Sequence, residues 1–279
     1  MDFICEDFDI EAILECGQCF RFARLGDKDY ELFAFGKRLR VWQAGNSITL
    51  SPCGECDYID IWRNYFDLDV DYGRIKAALV SKGGAAAEAA AAAPGLRILR
   101  QEPWECLASF IVSQNNNIPR IKSVIEKMVV QYGEGDAFPE PARLAGASEE
   151  DLMRRCGTGF RAKYLIAAAK KTEEGFLEKI KGMTTPEART ELMTLYGVGP
   201  KVADCALLFS FNRRDMFPVD VWIKRAMQAF YFDGRDVPLK DIHAFAENEF
   251  GELAGYAQQY LFYYAREGAR SAPAGLMEN

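Results

Sequence analysis

Between residues 30 and 51 apolar and polar side chains alternate in three short runs, 30–35, 39–42 and 47–51. Gly36-Lys37 and Gly45-Asn46 separate them, and Pro52 stops the last. A period of two with glycine-bearing breaks predicts an antiparallel meander. Residues 8–15 ahead of it have the spacing of a short helix, and Cys19 stands where a strand should begin. Behind it, 59–66 and 71–79 are helical in spacing. From Leu96 the period lengthens to that of helices. Residues 104–113 are apolar on nearly every side, which predicts a buried helix, and 118–132 are amphipathic. Further helices are expected from Ser148, over 160–174, from Thr184 to about 196, from Pro200, from Val221, and over 239–250 and 254–267. The alanine-rich tract 85–93 favours a helix intrinsically and is expected to connect the two parts. The whole predicts an α+β chain, predominantly α-helical: an N-terminal antiparallel β domain over 1–90, then a helical region over 91–279 in two subdomains.

Charge and cysteine content narrow the setting. The 279 residues carry a formal net charge of −7, so any nucleic-acid surface must be a local basic patch. Candidates are Arg120 with Lys122, Arg154-Arg155, Arg161 with Lys163, and Arg213-Arg214. No apolar run is long enough to span a bilayer, and the acidic start MDFICEDFDI lacks a secretory signal. A cytoplasmic location is expected, with the chromosome, or nuclear in a eukaryote, and the eight cysteines then read as reduced thiols. Cys16/Cys19 and Cys53/Cys56 form two C-x2-C pairs that could hold zinc. Against zinc, Cys19 sits between Gln18 and Phe20 at a strand start, and no metal is assigned. There is no closely spaced four-cysteine run near the C-terminus to suggest an iron–sulfur cluster.

The densest chemistry lies between Leu192 and Lys224. A Gly197-Val198-Gly199 turn is followed by Pro200, a residue suited to the first position of a helix. Glycines at such a corner let backbone N–H groups approach a phosphate. Lys201 falls in the first turn, where peptide dipoles disfavour its charge, and a neutral amine is a nucleophile. After an apolar helix, Phe217-Pro218-Val219-Asp220 presents one carboxylate, able to assist proton transfer or to cap the helix from Val221. G-V-G-P-K followed by P-V-D-V resembles the helix–hairpin–helix/Gly-Pro-Asp superfamily of base-excision DNA glycosylases. In its lyase members the lysine after the hairpin attacks C1′ and the aspartate is indispensable. The resemblance implies those roles for Lys201 and Asp220.

Five segments resemble the 8-oxoguanine DNA glycosylase family over nearly the whole chain: 16–20, 113–120, 157–164, 201–205 and 256–262. The resemblance implies an active site in an interdomain cleft. Asn115 would fill the gap left by the flipped nucleotide, Arg120 and Arg161 would read the orphaned cytosine, and Phe160 would wedge beside it. Gly197 and Gly199 would receive the phosphate. Phe262 and Cys205 would sandwich the purine and Gln258 would read its edge. The Gly17 carbonyl would accept from N7–H, which oxidised guanine has and guanine lacks. Taken singly, these residues also read as a helix-end Asn, surface arginines, a turn glycine, and core Cys and Phe. One departure is plain: Trp222 stands where better-known members have a histidine, and the only histidine, His243, is expected on a surface turn. The implied function is a bifunctional glycosylase/AP lyase acting as a monomer on duplex DNA with oxidised guanine opposite cytosine. No redox cofactor or catalytic metal is implied, and a monovalent cation is expected at the hairpin. A glycosylase for another damaged or mismatched base, or a non-catalytic damage-binding protein, are the alternatives.

Overall fold

The computed structural model describes residues 1–271, with side chains described through Arg266. Residues 272–279 of the helical region lie outside the described residues.

The meander is present and larger than expected. Strands β1 (Asp2–Ile4), β2 (Phe22–Gly26), β3 (Asp29–Ala34), β4 (Lys37–Ala44) and β5 (Ser47–Ser51) form one antiparallel sheet in the order β1-β5-β4-β3-β2. Tyr30 pairs with Val41 and Val41 with Leu50, so the alternating apolar residues share one buried face. The differences lie at the edges: β1 was not expected, and β2 begins at Phe22 where a strand was expected from Cys19. Three residues are too few to establish a period, and β2 is mostly exposed and broken by a register shift between Arg24 and Gly26.

Against the sheet pack the helix Ile10–Glu15 and the segment around Trp62, Tyr65 and Phe66, forming a small core with Leu99. The larger core belongs to the helices and takes in Cys16, Phe20, Tyr72 and Leu79 from the first part of the chain. The alanine tract, Gly84–Ala92, does more than connect: Ala86, Ala89 and Ala90 are buried in this core. Alanine lets two helices approach closely, and here the neighbour is the closing helix Ala254–Ser271.

Buried polar side chains tie the two cores together. Gln18 is fully buried, donates to the carbonyls of Ile13 and Arg97 at 2.8 Å each, and accepts from the Leu99 N–H at 2.8 Å. The Asp67 carboxylate, equally buried, meets Arg100 and, at 3.1 Å, Arg214. A charge so placed is stable only when paired and fully hydrogen-bonded.

Two expectations are corrected. His243 does not stand on a surface turn: it lies half-buried within the helix Leu239–Phe250, near Asp204 and Arg189, and burial lowers its pKa. Several cations counted as a DNA surface are internal or paired. Arg213 donates to the Met183 carbonyl, Arg214 joins Asp67, Arg154 and Arg155 pair with Asp151, and Lys122 donates to the Phe22 carbonyl. Long side chains with donor heads satisfy buried carbonyls as readily as phosphates.

Candidate active site

The hairpin forms where its glycines predict, and the two glycines do different work. The helix Thr185–Leu192 opens with a Thr184/Glu187 capping box and stops a turn earlier than expected. Gly197 is left-handed at φ +82°, and its backbone lies on the Tyr164 ring: an added Cβ would come within 2.3 Å of it. Gly199 is extended, has open space where a side chain would be, and precedes the helix Pro200–Ser210. The second glycine therefore leaves room at a helix N-terminus, the arrangement that suits an anion.

Lys201 is half-buried in the first turn of that helix. Its ammonium lies 3.3 Å from the Ser113 hydroxyl and 4.8 Å from the centre of the Phe110 ring. Asp220 is half-buried too, and one of its oxygens accepts from the Ile223 N–H at 2.8 Å, capping the helix Val221–Tyr231. The two readings of Asp220 are thus compatible, since the cap fixes the carboxylate in place. Lys201 and Asp220 both line a cleft of about 900 Å³ and a deeper recess of about 40 Å³. Each also acts electrostatically on the Cys205 thiol, which burial pushes up to about 12 while Lys201 pulls it down.

The recess joins the residues expected to handle a base. Gly17 at φ +79° meets Phe262 so closely that an added Cβ would lie 3.3 Å from the ring. Cys205 and Gln258 are buried in the same wall, and the Gln258 Oε1 has no hydrogen-bond partner among the described residues. A buried acceptor left bare is costly, and such groups mark places where a ligand completes the bonding. Forty cubic ångströms holds little more than a water molecule.

On the cleft rim, Asn115 is exposed and left-handed at φ +48°, and its side chain makes no hydrogen bond among the described residues. The helix-end roles fall instead to Asn116, which donates to the Val112 carbonyl, and Asn117, which caps the helix Ile118–Tyr132. Phe160 is 46% exposed, unusual for a phenylalanine and fitting for a wedge. Arg161 is not a surface arginine. It is buried, stacks on Phe160, and donates to the carbonyls of Thr158, Gln114 and Asn115. Burial and nearby Arg120 lower its pKa. Arg120 itself is exposed in the first turn of its helix. Trp222 is 37% exposed and lines the cleft beside Asp220. Ser113, Phe110 and Tyr164 were given no role by sequence reasoning, because their contacts join residues far apart in the chain.

The cysteine pairs do not converge. Cys16 belongs to the large core and Cys19 to the small one, while Cys56 is exposed. Among the described residues no cluster of three or more His, Cys, Asp or Glu side chains could hold a metal ion. Nor is any described helix long and apolar enough to cross a membrane.

Residues 2–107 match the 8-oxoguanine DNA glycosylase N-terminal domain, and residues 108–252 the HhH-GPD superfamily of base excision DNA repair proteins. The chain belongs to the 8-oxoguanine DNA glycosylase family. A probable N-glycosylase/DNA lyase of Methanothermobacter thermautotrophicus is 38% identical over 62% of the chain, and an N-glycosylase/DNA lyase of Saccharomyces cerevisiae 37% identical over 49%. These matches span 64% and 42% of the relatives' own lengths. The Clostridium acetobutylicum 8-oxoguanine glycosylase/lyase, solved with duplex DNA containing cytosine opposite 8-oxoguanine, superposes with a TM-score of 0.90 at 41% identity. That match covers 95% of this chain and 93% of the other. Family membership accounts for the front sheet and the hairpin together.

Proposed function

We propose that the protein is a bifunctional DNA glycosylase/AP lyase that removes 8-oxoguanine opposite cytosine from duplex DNA. One observation carries the reading: Lys201 and Asp220 share the mouth of a recess whose walls hold Gly17, Phe262 and the unpartnered Gln258 Oε1. Nucleophile, acid and base-reading groups therefore meet at one place.

The chemistry follows from those groups. The damaged nucleotide leaves the stack, at a cost offset by Asn115 and Phe160 entering its place and by Arg120 and Arg161 binding the cytosine, Arg161 after exchanging carbonyls of Gln114 and Asn115 for the base. The purine enters between Cys205 and Phe262, with Gln258 on its Watson–Crick edge. The Gly17 carbonyl accepts from N7–H, whereas guanine would set a lone pair against that carbonyl. Lys201, as a neutral amine, attacks C1′; the C1′–N9 bond breaks and its electron pair leaves with the base, which takes up a proton. Asp220 stabilises the positive charge developing on the sugar. Ring opening gives the Schiff base, loss of a C2′ proton expels the 3′ phosphate, and hydrolysis of the imine restores the lysine. Trp222 faces the bound nucleotide with an aromatic surface and one N–H donor, and supplies no cation there.

At the hairpin, Gly197 turns the chain and Gly199 admits a phosphate. The carbonyls of Tyr196 and Val198 accept no hydrogen bond among the described residues, and neutral carbonyls of this kind suit a monovalent cation held against that phosphate.

Borohydride trapping tests the reading. With a duplex carrying 8-oxoguanine opposite cytosine, the wild-type protein should form a covalent adduct and cut the strand. Lys201→Gln should bind the duplex and do neither, and opposite adenine, guanine or thymine excision should be slower. Binding without adduct or cleavage by the wild type would rule the proposal out.

A further inference from the structure

The base recess is read by Gly17 and Gln258, and their sequence neighbours Cys16 and Gln259 are bonded to each other. The Gln259 amide nitrogen lies 2.9 Å from the Cys16 sulfur and 3.4 Å from the Cys16 carbonyl oxygen. Both side chains are almost fully buried, at 1% and 2% exposure. The sulfur accepts from Gln259 and in turn donates to the Ile13 carbonyl at 3.2 Å. Burial pushes the Cys16 thiol up to about 11, so it keeps the proton this relay needs. We propose that Gln259 and Cys16 are positioning residues for base recognition, a buried strap that holds the Gly17 carbonyl in fixed register with Gln258 across the recess.

The inference rests on the proposed excision of 8-oxoguanine. Its physical ground is the weakness of the alternative supports. Gly17 has no side chain and a left-handed backbone, so it cannot fix its own carbonyl. Gln18 anchors the loop on the side facing Ile13, Arg97 and Leu99, and its carbonyl accepts from Gln101 at 2.7 Å. On the side facing the closing helix, Gln259 bonds to Cys16 and the Arg266 guanidinium donates to the Glu15 carbonyl at 3.0 Å. Discrimination by a single acceptor is lost when that acceptor drifts by a fraction of an ångström. Buried hydrogen bonds linking the reading loop to the reading helix are what would prevent the drift.

The test compares two single-turnover rates on one duplex sequence, excision of 8-oxoguanine and cleavage of a preformed abasic site. The second uses Lys201 but no base pocket. Gln259→Leu and Cys16→Ala should slow excision about tenfold while abasic-site cleavage stays within about twofold, the scale of one neutral hydrogen bond removed. Cys16→Ser keeps a donor and an acceptor and should restore the wild-type ratio. The two positions give independent tests if one variant folds poorly. Equal losses in both rates would make the contact merely structural, and unchanged ratios would make the strap unnecessary; either overturns the inference. A wild-type protein that cuts abasic DNA but removes no 8-oxoguanine overturns the reading beneath it instead.

Discussion

The Gly197 backbone rests on the face of Tyr164, and no side chain fits between them. Tyr164 also meets Tyr196 edge-on at 4.9 Å and Phe160 at 5.8 Å, so an aromatic chain joins Phe160 to the hairpin. Gly197→Ala should therefore lower stability by about 2 kcal/mol or more, from left-handed strain plus the clash. Gly199→Ala should melt like the wild type, because its backbone is extended and its surroundings open, yet bind DNA more weakly. Thermal melting alongside binding titrations separates the two effects.

Asp220 performs a structural task that asparagine can share. Asparagine and aspartate are nearly equal as helix N-caps, so Asp220→Asn should change stability by less than about 0.5 kcal/mol. Excision should fall by about 10²–10⁴, the range for loss of a charged participant. Asp220→Ala should lose the activity and also about 1 kcal/mol of stability. Equal single-turnover rates for Asp220→Asn and wild type would remove the residue from the chemistry.

Gln258 holds a bare acceptor in a buried wall. Replacing it with leucine removes an unsatisfied group, and the folded state should gain about 1 kcal/mol in denaturant titrations. Excision should drop at the same time, with KM for the 8-oxoguanine duplex rising. A destabilised Gln258→Leu would mean that the amide is bonded through water in the free protein.

Glu105 is paired with Arg21 at 3.2 Å, but burial dominates and pushes its carboxyl from the ordinary 4.5 up to about 7. The folded chain holds this proton more tightly than the unfolded chain does. Its stabilising contribution is thus complete below the unfolded value and is lost as pH rises through about 7. The loss is roughly 3 kcal/mol at 1.36 kcal/mol per unit. Melting curves from pH 5 to 8 should show falling stability with a matching proton release, and Glu105→Gln should flatten the slope.

Much of the fold was legible because the ends of its elements are marked by local chemistry. The helices Ile118–Tyr132 and Leu239–Phe250 have the bounds the pattern gave, written by Asn117 and Gly133 and by Pro238 and Gly251. The pair proposed for catalysis stood out for a similar reason: Lys201 and Asp220 each follow a short, distinctive string of residues. What stayed hidden depends on contacts across the chain. Arg161 reads as a surface cation until Gln114 and Asn115 supply the carbonyls that bury it. The position of His243 is equally opaque, since a period-3.6 pattern does not say which neighbouring helix will face a given side.

Cys16 and Gln259 are 243 residues apart, and the groups they flank come from opposite ends of the polypeptide. Lys201 and Asp220 lie between. On the proposed reading, the residues assigned to strand cutting are therefore synthesised before the last of those assigned to telling a damaged purine from a sound one. On the same reading, the base-reading groups come together only when the helix Ala254–Ser271 docks against the loop of Gly17, and the same docking completes the large core through Tyr256, Tyr260 and Leu261.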